Sequence, residues 1–242
     1  MPEPKYKRVL LKISGEGLCG PGKTGIDGTE LRRIAQELKL VVDLGVQVAV
    51  VVGGGNIVRG SVIAKHAPIE ESTGHYMGML ATVINALAVQ DTLESLGVRT
   101  RVQSAIGIHS VCEPFIRRRA VRHLEKGRVV IFAAGTGNPF VTTDTGAALR
   151  AAEIRAEALL KATKVDGVYS ADPVSDPTAT RLERLTYNEV IDRRLAIMDV
   201  SAIDLCQRSR VPIVVLSLRA PGNMRDVVCG GGVGTIIDGG TP

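Results

Sequence analysis

An apolar run leads directly into three glycines at Val48-Ala49-Val50-Val51-Val52-Gly53-Gly54-Gly55. A continuous apolar run of this length is typical of a strand that is buried on both faces of a parallel sheet. The pattern occurs twice more: residues 8–14 lead into Gly15, and residues 129–132 lead into Ala133-Ala134-Gly135-Thr136-Gly137. Ligands of open parallel sheets bind outside the carboxyl ends of the strands. We therefore expect the three glycine segments to line one site.

These glycine segments predict a site for anions. Glycine lets backbone N–H groups approach a ligand closely, and consecutive N–H groups form anion-binding nests. Two cations accompany them, because Lys12 ends the first strand and Arg59 lies just past the second. Together they predict a site that holds several phosphates at once.

Composition indicates a globular, enzyme-like chain. It has 242 residues, of which 45% are hydrophobic, 23% charged and 3% aromatic. That is enough for a large core in one domain or in two closely packed lobes. No apolar run approaches the roughly 20 residues of a membrane span, and the first residues lack the regions of a signal peptide. We expect a cytoplasmic protein that does not bind a membrane.

The net charge and the cysteines indicate which ligands and which thiol state to expect. The formal net charge of +5 suits either nucleic-acid binding or an enzyme of polyanionic small molecules. The densest basic run, Arg117-Arg118-Arg119, has no interleaved aromatics, which favours a solvated helix face or a subunit contact. We therefore expect no nucleic-acid partner. The four cysteines form no C-x-x-C pair and show no zinc-type spacing with the histidines, so we expect reduced thiols.

Strand and helix patterns alternate from the first residues, which predicts an α/β fold with a mostly parallel sheet. Helices are predicted from Asp27, as N-cap, to Gly45; over 73–96; from Pro114 to Gly127; and over 143–154. Further along, the pattern predicts strands at 158–162, 212–216 and 235–237, a hairpin at 164–169 and a helix at 201–208. We place a boundary near residue 156, between an N-terminal lobe (1–156) and a C-terminal lobe (157–242).

Residues 17–24, Gly17-Leu18-Cys19-Gly20-Pro21-Gly22-Lys23-Thr24, match the P-loop pattern G-x-x-x-x-G-K-[ST]. A P-loop needs its Lys-Thr pair to open a helix whose N–H groups cradle the phosphates. Here Gly25 follows, and the predicted helix begins only after Asp27. The segment therefore predicts a glycine-rich loop.

Five motifs resemble one known family. They are Lys12-Ile13-Ser14-Gly15-Glu16, Gly53-Gly54-Gly55-Asn56-Ile57-Val58-Arg59-Gly60, Met77-Gly78-Met79-Leu80-Ala81-Thr82, Gly135-Thr136-Gly137-Asn138-Pro139-Phe140-Val141-Thr142-Thr143-Asp144, and Lys161-Ala162-Thr163-Lys164-Val165-Asp166-Gly167-Val168-Tyr169 leading to Asp172-Pro173. In unbroken order over about residues 6–237, they resemble the bacterial UMP kinases (uridylate kinases) of the amino acid kinase superfamily. The resemblance implies that family's three-layer αβα sandwich around a central, mostly parallel sheet.

The implied activity is transfer of the γ-phosphate of ATP to UMP, giving UDP and ADP in pyrimidine nucleotide biosynthesis. Mg²⁺ would arrive bound with ATP, with no direct metal ligand in the protein. The implied catalytic residues are Lys12, Arg59, Asp144 and Asp199, of which Asp199 would hold Lys12 in place. Asp144 and Asp199 could each orient Lys12, or bind the metal through water. The implied UMP-binding residues are Gly54, His75, Thr136, Gly137, Asn138, Pro139, Phe140, Val141, Thr142 and Thr143. The implied ATP-binding residues are Lys12, Ile13, Ser14, Gly15, Gly55, Arg59, Thr163, Tyr169 and Asp172.

The resemblance also implies a homohexamer that GTP activates and UTP inhibits. The loop tied to GTP activation would comprise Gly20, Pro21, Gly22, Lys23, Thr24 and Gly25. One position departs from the family pattern, because His75 stands where members usually carry an Asp that contacts the acceptor nucleoside. A histidine can still hydrogen-bond a ribose hydroxyl, although not as a full anion.

Two other functions stay open at this point. One keeps the fold but changes the acceptor to a carboxylate or carbamate, and the other is a non-catalytic nucleotide-binding protein. Single residues also have structural alternatives: Lys12 could be a surface lysine, and Asp144 and Asp199 could be helix N-caps.

Overall fold

The computed structural model describes residues 3–20, 22–60, 62, 67–171, 175–176 and 178–240. Two residues with predicted roles, Pro21 and Asp172, lie outside these ranges. The helices are α1 (Gly28–Val42), α2 (Glu71–Ser95), α3 (Arg117–Glu125), α4 (Thr143–Glu153), α5 (Tyr187–Asp192), α6 (Val200–Ser209) and α7 (Asn223–Val228), with a short 3₁₀ helix at Gly15–Leu18. The strands are β1 (Arg8–Ile13), β2 (Gln47–Val52), β3 (Thr100–Ser104), β4 (Glu113–Pro114), β5 (Val129–Ala133), β6 (Ala158–Thr163), β7 (Val168–Tyr169), β8 (Arg181–Leu182), β9 (Arg184–Thr186), β10 (Ile213–Ser217) and β11 (Thr235–Asp238).

One sheet runs through both predicted lobes. Its strand order is β4-β3-β5-β2-β1-β6-β10-β11-β9, and each neighbouring pair is parallel except β10 with β11. β1 lies at the centre, between β2 and β6. Since the three glycine segments follow β1, β2 and β5, they emerge at the same edge of this sheet, as the sequence predicted.

Side-chain alternation along the strands builds the two flanking helix layers. Leu11 points to the side of α1, α2 and α7, whereas Leu10 points to the side of α3, α4, α5 and α6. Successive side chains of a strand face opposite sides of the sheet. Both residues are fully buried, because helices cover both faces. The predicted three-layer αβα sandwich is confirmed.

Helix boundaries agree with the predicted ones to within a few residues. Asp27 caps α1, accepting from the N–H of Thr29 at 2.8 Å and of Glu30 at 3.2 Å. α3 begins at Arg117 instead of Pro114, because Pro114 pairs with Ser104 as part of β4. The Lys23-Thr24 pair opens no helix, which confirms that this segment is not a P-loop.

The hairpin predicted at 164–169 is wrong. Val168–Tyr169 pairs antiparallel with Arg181–Leu182, so its partner comes from further along the chain. A tight Asp-Gly hairpin turn requires a positive φ at both central residues, and neither Asp166 nor Gly167 has one. Thr235 holds the strand instead, accepting the N–H of Val168 at 2.7 Å.

None of the helices in the described ranges combines the length and hydrophobicity that crossing a lipid bilayer requires.

Gly74 on α2 packs directly against Gly60 in the loop after β2. A methyl group at Gly74 would lie 2.6 Å from the carbonyl oxygen of Gly60, whereas one at Gly78, a turn later on the same helix, would meet nothing within 4 Å. We expect Gly74→Ala to lower the free energy of unfolding by about 1–3 kcal/mol through overpacking. Gly78→Ala should raise it by about 0.5–1 kcal/mol, because alanine loses less backbone entropy in a helix.

Chemical denaturation of the two variants beside the unmodified protein measures both shifts. Each variant adds a single methyl group to α2, so each serves as the other's control. Equal shifts in the two variants would contradict the close approach.

Candidate active site

The loops after β1 and β2 touch through their glycine backbones. The N–H of Gly53 donates to the carbonyl of Ile13 at 2.8 Å. A Cβ at Gly15 would lie 2.5 Å from Oδ1 of Asn56 and 2.7 Å from the backbone nitrogen of Gly55. Any larger residue at Gly15 would force the loops apart, so glycine is required there by space.

Two buried amides hold the loop after β2 against α2. Asn85 Nδ2 donates to Oδ1 of Asn56 and to the carbonyl of Gly53, both at 2.7 Å, and Asn56 Nδ2 donates back to Asn85 Oδ1 at 3.1 Å. Asn56 also donates to the carbonyl of Gly25 at 2.7 Å. Because buried amides are costly when unpaired, this network fixes the loop in one position.

The loop after β5 is held by the same helix. Thr82 Oγ1 accepts the N–H of Ala134 at 2.7 Å and donates to the carbonyl of Met79 at 2.6 Å. A Cβ at Gly54 would lie 2.6 Å from the carbonyl oxygen of Gly78, so the loop after β2 also packs on this part of α2. One helix therefore sets the relative positions of two glycine loops.

Two cavities open at this sheet edge. The larger, of about 660 Å³, is lined by residues that follow β1, β2, β6 and β10, and the smaller, of about 550 Å³, lies between α2 and the loop after β5. Gly55 and Val58 line both. The cavities therefore adjoin at the glycine loop after β2, and Gly55, which a Cβ would not crowd, forms part of the wall between them.

The larger cavity has a basic wall. Among the described residues that line it, the charged side chains are Lys23, Arg33, Arg59, Lys164 and Arg219, against Glu16 and Glu30. Glu16 pairs with Lys164 at 2.8 Å and with Arg59. The hydrogen bond from Lys164 and its charge, aided by that of Arg59, hold the pKa of Glu16 below its ordinary value. An excess of cations suits a polyanionic ligand.

A buried carboxylate pairs with two buried lysines, and none of these three residues lines either cavity. Lys12 and Lys161 face each other in the register of β1 and β6, and they are only 7% and 8% exposed. Asp144, in the first turn of α4, lies 2.7 Å from Lys12 Nζ and 2.5 Å from Lys161 Nζ. Two ammonium groups and one carboxylate leave a net positive charge in this cluster, which we name the lysine–aspartate cluster.

The pKa shifts in this cluster have opposing causes. Burial alone would raise the pKa of Asp144, but the charges of Lys12 and Lys161 outweigh it and hold the pKa below its ordinary value. Burial, together with the neighbouring charge of Lys12, lowers the pKa of Lys161. Asp144 is therefore a firm counter-ion for the two lysines.

Asp199 has a different set of partners from the one that the resemblance implied. Its carboxylate accepts from the hydroxyls of Thr142 and Thr145, and from the N–H of Ala202 as N-cap of α6. Of the two carboxylates that were expected to orient Lys12, it is Asp144 that pairs with it. The N-cap of α4 is Thr142, so Asp144 is not a cap, and the burial of Lys12 excludes a surface role for it.

The smaller cavity gathers most of the residues predicted to bind UMP. Those that line it are Gly54, His75, Thr136, Asn138, Phe140, Val141, Thr142 and Thr143, whereas Gly137 and Pro139 do not. His75 also touches the loop after β5 directly, since its Nδ1 accepts the N–H of Phe140 at 2.9 Å.

The residues predicted to bind ATP are only partly gathered at one cavity. The larger cavity is lined by Ile13, Ser14, Gly55, Arg59 and Thr163. Lys12, Gly15 and Tyr169 line neither cavity, and Asp172 is outside the described residues. The loop predicted for GTP contributes Gly20, Gly22, Lys23 and Thr24 to the same larger cavity, and the N–H of Gly25 donates to Asn56.

The sequence predictions include no role for Lys161, Asn85 or Thr82. A signal for Lys161 existed, because Leu-Leu-Lys occurs near the carboxyl end of both β1, at Leu10-Leu11-Lys12, and β6, at Leu159-Leu160-Lys161. Matching strand ends in a parallel sheet place matching side chains at the same edge. No comparable signal marks Asn85 or Thr82, which lie within a long helix.

Comparison with known proteins identifies the family of this chain. The model of the amino acid kinase family matches residues 7–217. A uridylate kinase of Paramagnetospirillum magneticum is 62% identical, covering 97% of this chain and 98% of that protein. A chloroplastic uridylate kinase of Arabidopsis thaliana is 56% identical, covering 98% of this chain and 70% of that protein.

Among solved structures, the UMP kinase from Bacillus anthracis superposes with a TM-score of 0.94 at 39% identity, covering 98% of this chain and 97% of that one. The UMP kinase from Ureaplasma parvum gives 0.90 at 35% identity, covering 97% and 99%. The chain therefore belongs to the amino acid kinase family and, within it, to the uridylate kinases.

Proposed function

We propose that the chain transfers the γ-phosphoryl group of ATP to UMP, with ATP in the larger cavity and UMP in the smaller. One observation supports this arrangement: each residue of the lysine–aspartate cluster is the chain neighbour of a residue that lines one of the two cavities. Lys12 and Lys161 directly precede Ile13 and Ala162 of the larger cavity, and Asp144 directly follows Thr143 of the smaller. The transferring group would cross where the cavities adjoin, at Gly55.

The cluster supplies what phosphoryl transfer needs. Two nucleotides repel each other, and the charge on the equatorial oxygens of the transferring group must be neutralised. Lys12 and Lys161 provide buried positive charge, and the glycine loops add N–H donors that are already in place. The second ionisation of a phosphate monoester lies near pH 6, so UMP is a ready nucleophile at neutral pH. No general base is required.

Mg²⁺ would enter with ATP. Among the described residues, no group of three His, Cys, Asp or Glu side chains is arranged to hold a metal ion, and both oxygens of Asp144 face lysines. Mg²⁺ is usually held through substrate phosphates and few protein groups, so the site fits a metal carried by the nucleotide. When bound, the ion would neutralise charge on the β- and γ-phosphates.

The chain would form a homo-oligomer through α2. Tyr76, Leu80 and Ile84 recur every four residues and are 45%, 48% and 50% exposed, which gives one helix face an apolar stripe.

A hexamer, GTP activation and UTP inhibition stay predictions from the resemblance. Cytoplasmic location and the division into two lobes also stay predictions.

The acceptor defines the first test. We expect ADP release with UMP as acceptor to exceed release with CMP, acetylglutamate or aspartate by at least an order of magnitude. A coupled ADP assay with all four acceptors at equal concentration measures this. Preferred turnover of a carboxylate would support the alternative acceptor class, and no turnover with any of them would support a non-catalytic nucleotide-binding protein.

The lysines define the second test. Lys12→Met and Lys161→Met should each lower kcat by about 10²–10³-fold, the usual cost of removing one preorganised contact to transition-state charge. The KM for UMP should change far less. Each variant leaves Asp144 paired with the remaining lysine, so no buried carboxylate is left without a cation.

Lys39→Met is the matched control, because Lys39 is an exposed lysine of α1 that pairs with Asp43. Its kinetic constants should equal those of the unmodified protein. Loss of UMP affinity as large as the loss of kcat would contradict a role of Lys12 or Lys161 at the moving phosphoryl group.

The apolar stripe defines the third test. Leu80→Glu should shift the protein to a smaller assembly in light scattering coupled to size exclusion, because a buried unpaired carboxylate disfavours association. Leu40→Glu places the same charge on α1, away from the stripe, and should leave the assembly unchanged. An unaltered mass for Leu80→Glu would exclude the stripe as a contact surface.

A further inference from the structure

His75 joins α2 to the loop after β5 at the rim of the smaller cavity. Its Nδ1 accepts the backbone N–H of Phe140 at 2.9 Å. The two rings also meet edge to face, with centroids 4.8 Å apart and planes at 86°. Both residues line the cavity, so the contact shapes the acceptor site without any ligand.

The backbone conformation of Phe140 requires support from neighbouring groups. Its φ is +65°, in the left-handed region that bulky residues rarely adopt. The Phe140 side chain is 68% exposed, so burial in the core does not hold it. A backbone conformation of this kind persists only where neighbouring groups impose it, and His75 supplies both a hydrogen bond and a ring contact.

The hydrogen bond requires neutral histidine. Because Nδ1 accepts, the neutral ring carries its proton on Nε2, on the side of the Glu71 carboxylate at 3.9 Å. A protonated imidazole has an N–H at both nitrogens and cannot accept at all. It would place one N–H against another, and the hold on Phe140 would be lost.

We propose that His75 is a positioning residue whose neutral imidazole holds residues 136–142 in the shape that receives UMP, and whose protonation releases them. The inference rests on the proposed function for the identity of the acceptor. Histidine is the side chain that ordinarily changes charge between pH 5 and 8, so the acceptor site should loosen as the pH falls through this range.

Among the described residues, few other charged groups belong to the elements around His75. Glu71 lies on the same helix, and carboxyl groups ordinarily titrate about two pH units below imidazole. From the loop after β2 comes Arg59, which pairs with Glu16. Residues 136–143 carry no titratable side chain, and Asp144 beyond them pairs with Lys12 and Lys161. Among the described residues that line the smaller cavity, His75 is the only histidine.

Two substitutions separate the hydrogen bond from other effects. His75→Asn places an amide oxygen near the position of Nδ1, so it can still accept from Phe140 but does not titrate. His75→Gln carries its amide further out, near the position of Nε2, and leaves no acceptor for Phe140. The KM for UMP is measured for the three proteins from pH 5.5 to pH 8 at saturating ATP.

The phosphate of UMP also titrates near pH 6, but it affects the three proteins alike. The ratio of KM in the unmodified protein to KM in His75→Asn therefore isolates the histidine. We expect this ratio to rise about three- to tenfold from pH 8 to pH 5.5, the worth of one net hydrogen bond. His75→Gln should show a raised KM already at pH 8, in constant ratio to His75→Asn.

A ratio that does not change with pH, or a His75→Gln variant that matches the unmodified protein at pH 8, would overturn the inference. Deuterium exchange of residues 136–142 without nucleotide gives a readout that does not need turnover. The unmodified protein should exchange faster than His75→Asn at pH 5.5 and equally at pH 8. Absence of UMP turnover in the unmodified protein would instead refute the proposed function.

Discussion

The carboxylate of Asp144 permits two lysines to be buried side by side at the ends of β1 and β6. An unpaired ammonium group in such a place would lose its proton or unfold the region, since desolvation disfavours the charged form. A single carboxylate offsets part of that cost and leaves one positive charge in excess. Under the proposed function, a phosphate group of the substrates would supply the anion that completes this balance.

The long helix α2 holds the loops after β2 and β5 in fixed positions relative to each other. Its interior carries Asn85 and Thr82, whose side chains bond to Gly53, Asn56 and Ala134. These polar groups are buried, and each bond is short. The helix also comes close enough to Gly54 and Gly60 to exclude any side chain there. Rigid support of this kind lets backbone N–H groups act as preorganised donors, since they need not move as charge develops.

Sequence patterns predicted the parts of this architecture that depend on local chemistry. Apolar runs ending in glycines gave the parallel strands and the edge where ligands bind, and Asp27 marked the start of α1. Partners brought together only by the fold were missed. The hairpin at 164–169 failed because Val168 bonds to Thr235, 67 residues away, and Asp144 was recognised through the resemblance but not as the partner of Lys161. The resemblance predicted most of the residues that line the smaller cavity. It could not predict the contact between His75 and Phe140, because His75 departs from the family pattern.

In the proposed arrangement, the walls of the two cavities account for the nucleotide that each would bind. The larger has a basic wall, which suits a triphosphate. The smaller is lined mainly by glycines, threonines and apolar side chains, with His75, Asn138 and Glu71, which suits a nucleotide recognised by shape and hydrogen bonds. Gly55 lines both cavities without a side chain, so in the proposed arrangement the donor and acceptor phosphates would meet beside it. The buried lysines would then balance the charge that this contact creates.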